Sequence, residues 1–209
     1  MNYDFAHFFE DATAKHSTSF LISNIVAGIS VFAILLAVLI DFMLYHRPQT
    51  AKKKLKSPVE TGSMFLFFFI YCVLLNAKTG KIAIQNLTIE AVLTISGAVL
   101  VFLGSLVNVL GRLRLKDNWA NQVTIYEHQT LVTTGVYRLA RHPLYASIIW
   151  MLLGGCLIYL NYFALASVIF VFIPMMVYRA KQEEKFLLLE FQEYADYRKR
   201  VWMFSPKMF

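Results

Sequence analysis

Five apolar runs, each near the length needed to cross a bilayer, dictate what this 209-residue chain can become. They fall at about 20–45, 58–77, 87–110, 143–160 and 162–178. A helix rising ~1.5 Å per residue needs about 20 apolar residues to cross a hydrocarbon core of about 30 Å. In that core each backbone N–H and C=O must bond within its own segment, so the spans should be helices. The second run is the weakest, because its densest part, Met64–Leu75, holds only twelve residues. The basic stretch before it favours a span over a buried core helix. Composition agrees: 58% of residues are hydrophobic and 16% charged, whereas a soluble domain is nearer half apolar and a quarter charged. The expected architecture is all-α, a polytopic membrane protein with about five transmembrane helices. One membrane domain should cover 1–209, with three spans in 1–110 and two in 111–209.

Charge placement sets an expected orientation. Segments 46–62, 111–142 and 179–209 hold five, five and seven of the twenty Lys and Arg, while 1–19 and 78–86 hold one and two. Positive loops stay on the cytoplasmic side. The amino terminus should then lie outside and the carboxyl terminus inside, in a cytoplasmic membrane expected to be of the bacterial type. An odd number of spans is required, and five fits. The net charge of +7 becomes topology and contact with anionic headgroups. A nucleic-acid partner is not expected, because the basic residues are spread along one membrane face.

The amino terminus does not read as a signal peptide, since Asp4, Glu10 and Asp11 stand where a positive region should be. Tyr3, Phe5, Phe8 and Phe9 suit a short interfacial helix. Cys72 and Cys156 sit inside apolar runs and should be small buried hydrophobes, neither disulfide nor nucleophile. Lys52 to Pro58 reads as a basic turn. Leu160-Asn161-Tyr162 is a very tight turn, so the last two spans should form an antiparallel hairpin. Pro143 suits a helix start. Pro174 should kink the fifth span. Beyond Tyr178 a polar helix should continue to about Arg200.

Two ionisable clusters belong to the same membrane face. Between two apolar runs stands Gln129-Thr-Leu-Val-Thr-Thr-Gly-Val-Tyr-Arg-Leu-Ala-Arg-His-Pro-Leu-Tyr145. Arg179-Ala-Lys-Gln-Glu183-Glu184 follows the fifth run directly. Arg179 and Glu183, four apart, share a helix face. They form either a solvated ion pair or the polar wall of a membrane-edge cavity. Glu184, Lys181 and Lys185 point elsewhere and should be solvated. Arg138 and Arg141 are either lipid anchors or site residues, and Tyr137 and Tyr145 either interfacial belt or ligand contacts. His142, directly before a helix-starting proline, is well placed to present its imidazole to a ligand. No dinucleotide fingerprint, Walker loop or nucleophile elbow is present, and no Cys/His spacing suits zinc. His128 and His142 share a loop without metal-ligand spacing, so no metal is expected.

In combination, Thr130-Leu-Val-Thr-Thr-Gly-Val-Tyr137, Arg141-His-Pro-x-Tyr145, Arg179-x-x-x-Glu183-Glu184-x-x-Leu187 and Tyr194-x-x-Tyr197-x-x-Arg200-Val201 resemble the isoprenylcysteine carboxyl methyltransferase family. Gly111-Arg112 and Trp119 are similar to its segment before the cofactor loop. The resemblance covers about 110–201 and implies an integral membrane enzyme that uses S-adenosylmethionine. It implies a cytoplasmic-side cofactor pocket capped by the carboxyl-terminal helix and lined by Gln122, Gln129, Thr130, Leu131, Val132, Tyr137, His142, Pro143, Leu144, Tyr145 and Glu183. It places Arg179 where the family has a substrate-engaging arginine. Gln129 stands where some members have histidine. Ala146-Ser147, Phe191-Gln192 and Trp202 stand where the family often has glycine, Phe-Gly and proline.

Such an enzyme would methylate a lipophilic or lipidated acceptor entering from the bilayer, at a carboxylate of the isoprenylcysteine kind. Two alternatives stay open. One is methylation of a phospholipid amine, which needs a base and for which His142 is the obvious candidate, or of a thiol. The other is a membrane reductase of the sterol type, whose carboxyl-terminal motifs are loosely similar. A non-catalytic membrane protein that kept the fold is disfavoured by the intact Arg179/Glu183 and His142/Tyr145 sets.

Overall fold

The computed structural model describes residues 18–45, 51–54, 61–77, 79–115, 124–126 and 130–204. Among these residues five helical rods alternate in direction. They are α1 (Thr18–Tyr45), α2 (Thr61–Asn76), α3 (Leu87–Leu115), α4 (Pro143–Tyr159) and a long rod, Tyr162–Glu190. The long rod consists of α5 (Tyr162–Ser167), a π-helical segment Val168–Phe172, and α6 (Ile173–Glu190). A short helix, α7 (Tyr194–Arg200), follows. Three of the described helices are long and apolar enough to cross a membrane: Thr18–Ile40, Leu87–Leu115 and Tyr162–Glu190. The apolar stretches Gly62–Asn76 and Pro143–Tyr159 are shorter, roughly 22–26 Å of helix. The count of five full spans is therefore an expectation that length alone does not meet.

Hydrogen bonds fix which helix ends meet. Ser23 Oγ donates to the Thr94 carbonyl, and two turns further along α1 the Ser30 carbonyl accepts from Ser105 Oγ. These bonds hold α1 along α3. At one end, Asn86 Oδ1 caps α3 by accepting from Thr88 and Ile89. There the turn predicted at Leu160–Tyr162 is as tight as expected. Leu160 takes a left-handed φ of 50°, and buried Asn161 caps α5 by accepting from the Ala164 N–H. Asn161 also donates to the carbonyls of Leu74 and Thr79. The opposite end gathers the start of α2, the end of α3, the start of α4 and the end of α6, and both ionisable clusters with them.

The tightest seam is α3 against α4. Gly97, Gly104 and Gly111 recur every seven residues along α3, which keeps them on one face. A Cβ on Gly97 would lie 2.5 Å from the Gly154 carbonyl oxygen, and one on Gly104 2.7 Å from that of Ser147. One on Gly111 would lie 2.8 Å from Leu144 Cδ2. Small residues at such a seam let backbones approach where no hydrophobic drive between helices operates. A second core joins α2 to α4 and the long rod. Phe67 packs on Phe172 at 4.8 Å between ring centroids, and Tyr71 donates to the Leu152 carbonyl at 2.6 Å.

Four expectations change. Lys52–Lys54, the first part of the stretch Lys52 to Pro58 read as a basic turn, belong to a strand (β1, Ala51–Lys54) paired antiparallel with Thr124–Tyr126 (β2), a small departure from an otherwise helical fold. The polar helix does not run unbroken to Arg200. It stops at Glu190, turns at 191–193 and restarts as α7. Among the described residues only Leu160, Gly80 and Gly135 have positive φ, so this break does not require glycine and Gln192 fits it. Ahead of Pro174, the irregularity expected of the fifth span takes the form of the π segment, a wide turn of the kind that accompanies kinks. Cys72 faces outward, exposed, while Cys156 is buried as expected. The aromatic segment 3–9, His128, Trp119, Gln122 and Gln129 lie outside the described residues.

Candidate active site

The site grows from the loop before α4. Gly135, at φ +64°, turns the chain into the 3-10 turn Gly135–Arg138 and lies against the Arg114 side chain. Pro143 starts α4 with a preset φ and no N–H to satisfy. That places His142, one residue earlier, at the helix mouth. Its backbone N–H donates to the Met203 carbonyl at 2.9 Å, and that of Arg141 to the Trp202 carbonyl at 2.8 Å. The carboxyl-terminal segment is thereby laced to the loop.

The His142 ring is buried and stacked on Tyr145, with 5.4 Å between centroids and 3° between planes. Its Nε2 lies 3.3 Å from Glu184 Oε1 and its Nδ1 3.5 Å from Glu183 Oε2. Tyr145 Oη donates to Glu183 Oε2 at 2.9 Å and accepts from Arg179 Nε at 3.1 Å. The Arg179 guanidinium lies 5.7 Å from the Tyr145 ring centroid, within cation–π range. Its Nη1 reaches Met64 Sδ of α2 at 3.1 Å. A continuous polar chain thus runs Met64–Arg179–Tyr145–Glu183–His142–Glu184. Of these, Arg179, Tyr145, Glu183 and His142 were singled out in sequence, and the fold brings them together.

Glu184 corrects the sequence reading. It is buried rather than solvated, and Arg141 donates to its Oε1 from both Nε and Nη2 at 2.8 Å. Arg198 Nε approaches its Oε2 at 3.5 Å. Arg141 is not a lipid anchor. Its Nη1 also donates to the carbonyls of Arg198 and Val201. This clasp ties the loop, α6 and α7 into one body. Arg138, Lys181 and Lys185 are exposed. Consecutive positions on a helix point about 100° apart, so Glu183 faces the ring stack and Glu184 the clasp.

The remaining residues support rather than complete this group. Tyr137 is buried, and Tyr197 Oη donates to its carbonyl at 2.5 Å. Burial raises the Tyr137 phenol well above its ordinary value, and the charge of Glu183 adds to that. Burial likewise pushes Tyr197 up to about 12, so both phenols stay neutral at physiological pH. Pro143 is buried, and Leu144 packs under Gly111. Thr130 is exposed and Leu131 and Val132 are half-buried on the segment leading into the 3-10 turn. Asn108, which the sequence did not single out, is fully buried. It donates to Ser147 Oγ at 2.8 Å and accepts from Arg112 Nε at 2.9 Å, and Ser147 Oγ donates to the Leu144 carbonyl. Ser147 therefore has a role in the α3–α4 seam that glycine would not supply.

His142 sits under opposing influences. Burial works against its charged form, but the carboxylates of Glu183 and Glu184 outweigh that and raise its pKa above the ordinary histidine value. A group raised on folding stabilises the fold fully below its unfolded pKa, about 6.5. That contribution is lost as the pH rises through the folded value. Thermal unfolding in detergent should therefore show stability falling as pH rises from about 6.5. His142→Asn should remove that part of the slope. An unchanged slope in the variant would mean that folding leaves the proton affinity of His142 unaltered.

The sequence profile of the isoprenylcysteine carboxyl methyltransferase family matches residues 81–189, just over half of the chain. A protein-S-isoprenylcysteine O-methyltransferase of Saccharomyces cerevisiae is 32% identical over 116 residues, 54% of this chain and 48% of the relative. A cobalt-zinc-cadmium resistance protein, CzcN, of Cupriavidus metallidurans is 33% identical over 82 residues, 39% of this chain and 38% of the relative. The aligned region spans about half the length, or less, of these curated relatives. Both ionisable clusters, the π segment and the glycine seam lie inside the matched stretch, and on that match the chain belongs to the isoprenylcysteine carboxyl methyltransferase family.

Proposed function

We propose that this protein is a membrane methyltransferase that moves a methyl group from S-adenosylmethionine to the carboxylate of a lipophilic, isoprenylcysteine-like acceptor, at the cytoplasmic face. The observation that carries the reading is one hydroxyl. Tyr145 Oη accepts from Arg179 and donates to Glu183, and so joins an anion-binding group to a cation-binding one. The residues suit the cofactor. Glu183, whose side chain is 37% exposed, gives the open side of the cluster a carboxylate for a sulfonium or ammonium. The Tyr145 face beside it offers a cation–π surface. S-Adenosylmethionine, when bound, supplies an electrophilic methyl on a sulfonium.

The protein's own part is binding and orientation. Arg179, buried and held at Nε by Tyr145, presents a planar fork that suits a carboxylate. An acceptor carboxylate is ionised at neutral pH, so no general base is needed. What the enzyme must supply is placement. The raised His142, engaged by carboxylates at both ring nitrogens, is poorly disposed to take a proton. That favours the carboxylate acceptor over an amine.

Titration calorimetry of the purified protein with S-adenosylmethionine is the direct test. Glu183→Gln should weaken binding roughly tenfold, the loss expected for one charge-assisted contact of about 1.5 kcal/mol. Expression should hold and detergent stability should fall only modestly, because Glu184 still faces His142 and Arg141. No binding by the parent protein would remove the methyltransferase reading, and unchanged affinity in the variant would remove Glu183 from the cofactor site.

A further inference from the structure

The two adjacent carboxylates of α6 are supplied with cations unequally. Glu184 receives Arg141 through Nε and Nη2 at 2.8 Å, and Arg198 Nε lies 3.5 Å from its other oxygen. Its charge is met without His142. Glu183 is less well provided. Its Oε2 accepts from the neutral Tyr145 hydroxyl at 2.9 Å. The ion-pair contact it makes among the described residues is with His142 Nδ1 at 3.5 Å. That distance is long for a hydrogen bond, so the attraction is mainly one of charge. The Glu183 side chain is 37% exposed, against 5% for His142. A ligand can therefore reach the carboxylate while the ring stays enclosed.

Geometry favours the charged form of the ring. A carboxylate only accepts, so an imidazole facing carboxylate oxygens with both nitrogens is satisfied when both carry protons. His142 does so, with Nε2 on Glu184 and Nδ1 on Glu183, and the two carboxylates hold it above the ordinary histidine value. Tyr145 stacks on the ring, and Phe204 meets it edge-on at 6.3 Å between centroids. Among the described residues, arginines approach it indirectly. Arg141 and Arg198 stand behind Glu184, and Arg179 behind the Tyr145 hydroxyl. Tyr194 of α7 is buried within the influence of Glu184, and Tyr137 within that of Glu183, both phenols raised by burial and neutral.

We propose that His142 and the sulfonium of S-adenosylmethionine compete for Glu183, so that the cofactor binds as His142 gives up a proton to solvent, and the proton returns once the methyl group has left. This deepens the proposed function and rests on it for the identity of the cofactor. The ring keeps its Nε2 proton toward Glu184. Nδ1 stays enclosed against Glu183 and offers no base to an acceptor. S-Adenosylmethionine carries one positive charge more than S-adenosylhomocysteine, at the sulfur. Methyl transfer removes that charge and with it the competitor. The site thereby distinguishes loaded cofactor from spent product. A ligand that displaces a proton binds more tightly as pH rises toward the His142 value of the free protein, and its affinity levels off above that value.

Titration calorimetry of the purified full chain, in two buffers of different ionisation enthalpy, counts the protons. The measurement is made at about pH 7, where an α-amino group with an ordinary value near 8 stays charged. S-Adenosylmethionine should release a fraction of one proton to the buffer, and S-adenosylhomocysteine none. The ratio of the two affinities should rise about tenfold between roughly pH 6 and 7.5, the effect of one pKa unit of coupling. His142→Asn should abolish both the release and the rise. The comparison of the two ligands uses the parent chain alone, so it decides the matter even if the variant fails to fold. Equal release by both ligands would overturn the proposal and assign Glu183 to the α-amino group that both carry. Release by neither, with both bound, would overturn it and leave the methyltransferase reading standing. Release that persists in His142→Asn would remove His142 as the source. Binding of neither ligand would overturn the proposal together with that reading.

Discussion

Arg179→Lys should lose roughly 100-fold or more in turnover of a lipidated carboxylate, the scale seen when one preorganised donor is removed from an anion-stabilising site. The charge survives the substitution, so a simple counter-ion would survive it too. The fork does not. Arg179 uses Nε on Tyr145 Oη and Nη1 on Met64 Sδ, two directions that a single ammonium on a flexible stem cannot hold together. Because Tyr145 also serves Glu183, a small shift of this hydroxyl is expected to alter S-adenosylmethionine affinity by no more than a few-fold. The measurement is kcat and KM for the acceptor beside a calorimetric cofactor titration on the same preparation. Full activity of Arg179→Lys on every carboxylate tried would remove the clamp and bring the amine and thiol readings forward.

Gly97→Leu should be the most damaging change away from the chemistry. The new side chain would begin with a Cβ 2.5 Å from the Gly154 carbonyl oxygen and 3.0 Å from the Ile158 nitrogen. Both neighbours are backbone, so neither can turn aside, and α3 must separate from α4. Overpacking of this kind costs about 3 kcal/mol, a Tm drop of roughly 6–12 °C for a chain of this size. Gly28→Leu on α1 is the matched control, since nothing lies within 4 Å of the Cβ it would add, and its Tm should stay within about 2 °C of the parent, the range of an ordinary surface change. Equal Tm values for the two variants would mean that the α3–α4 approach is not limiting. Because Gly104 and Gly111 continue the same seam toward Leu144, Gly97→Leu should also lower S-adenosylmethionine binding in whatever fraction stays folded.

Much of the site was legible because the relevant spacing is local. Arg179 and Glu183 share a face at any four-residue helical separation, and Pro143 sets His142 at a helix mouth whatever packs around it. The apolar runs fixed the helices for a similar reason, since a backbone in hydrocarbon has almost no other way to satisfy its polar groups. Glu184 was not legible. Whether a carboxylate one position away from the site face is solvated depends on what docks there, and Arg141 and Arg198 arrive from 43 residues before it and 14 after it. The sequence offered one signal, an arginine directly before His142, which read equally well as a lipid anchor.

The sequence alone therefore determined a helical membrane protein, its two ionisable clusters, and its tight turn at Leu160–Tyr162, because each follows from short-range chemistry or from the bilayer as solvent. The tertiary structure decided which residues complete the site. Met64 reaches Arg179 across 115 positions, Asn108 reaches Ser147 across 39, and the segment at 202–203 binds the backbone at 141–142. Such contacts are set by how helices are packed and staggered. Packing depends on where glycines admit close approach and where a π turn shifts the helix face, and no spacing within a single segment encodes the partner that arrives.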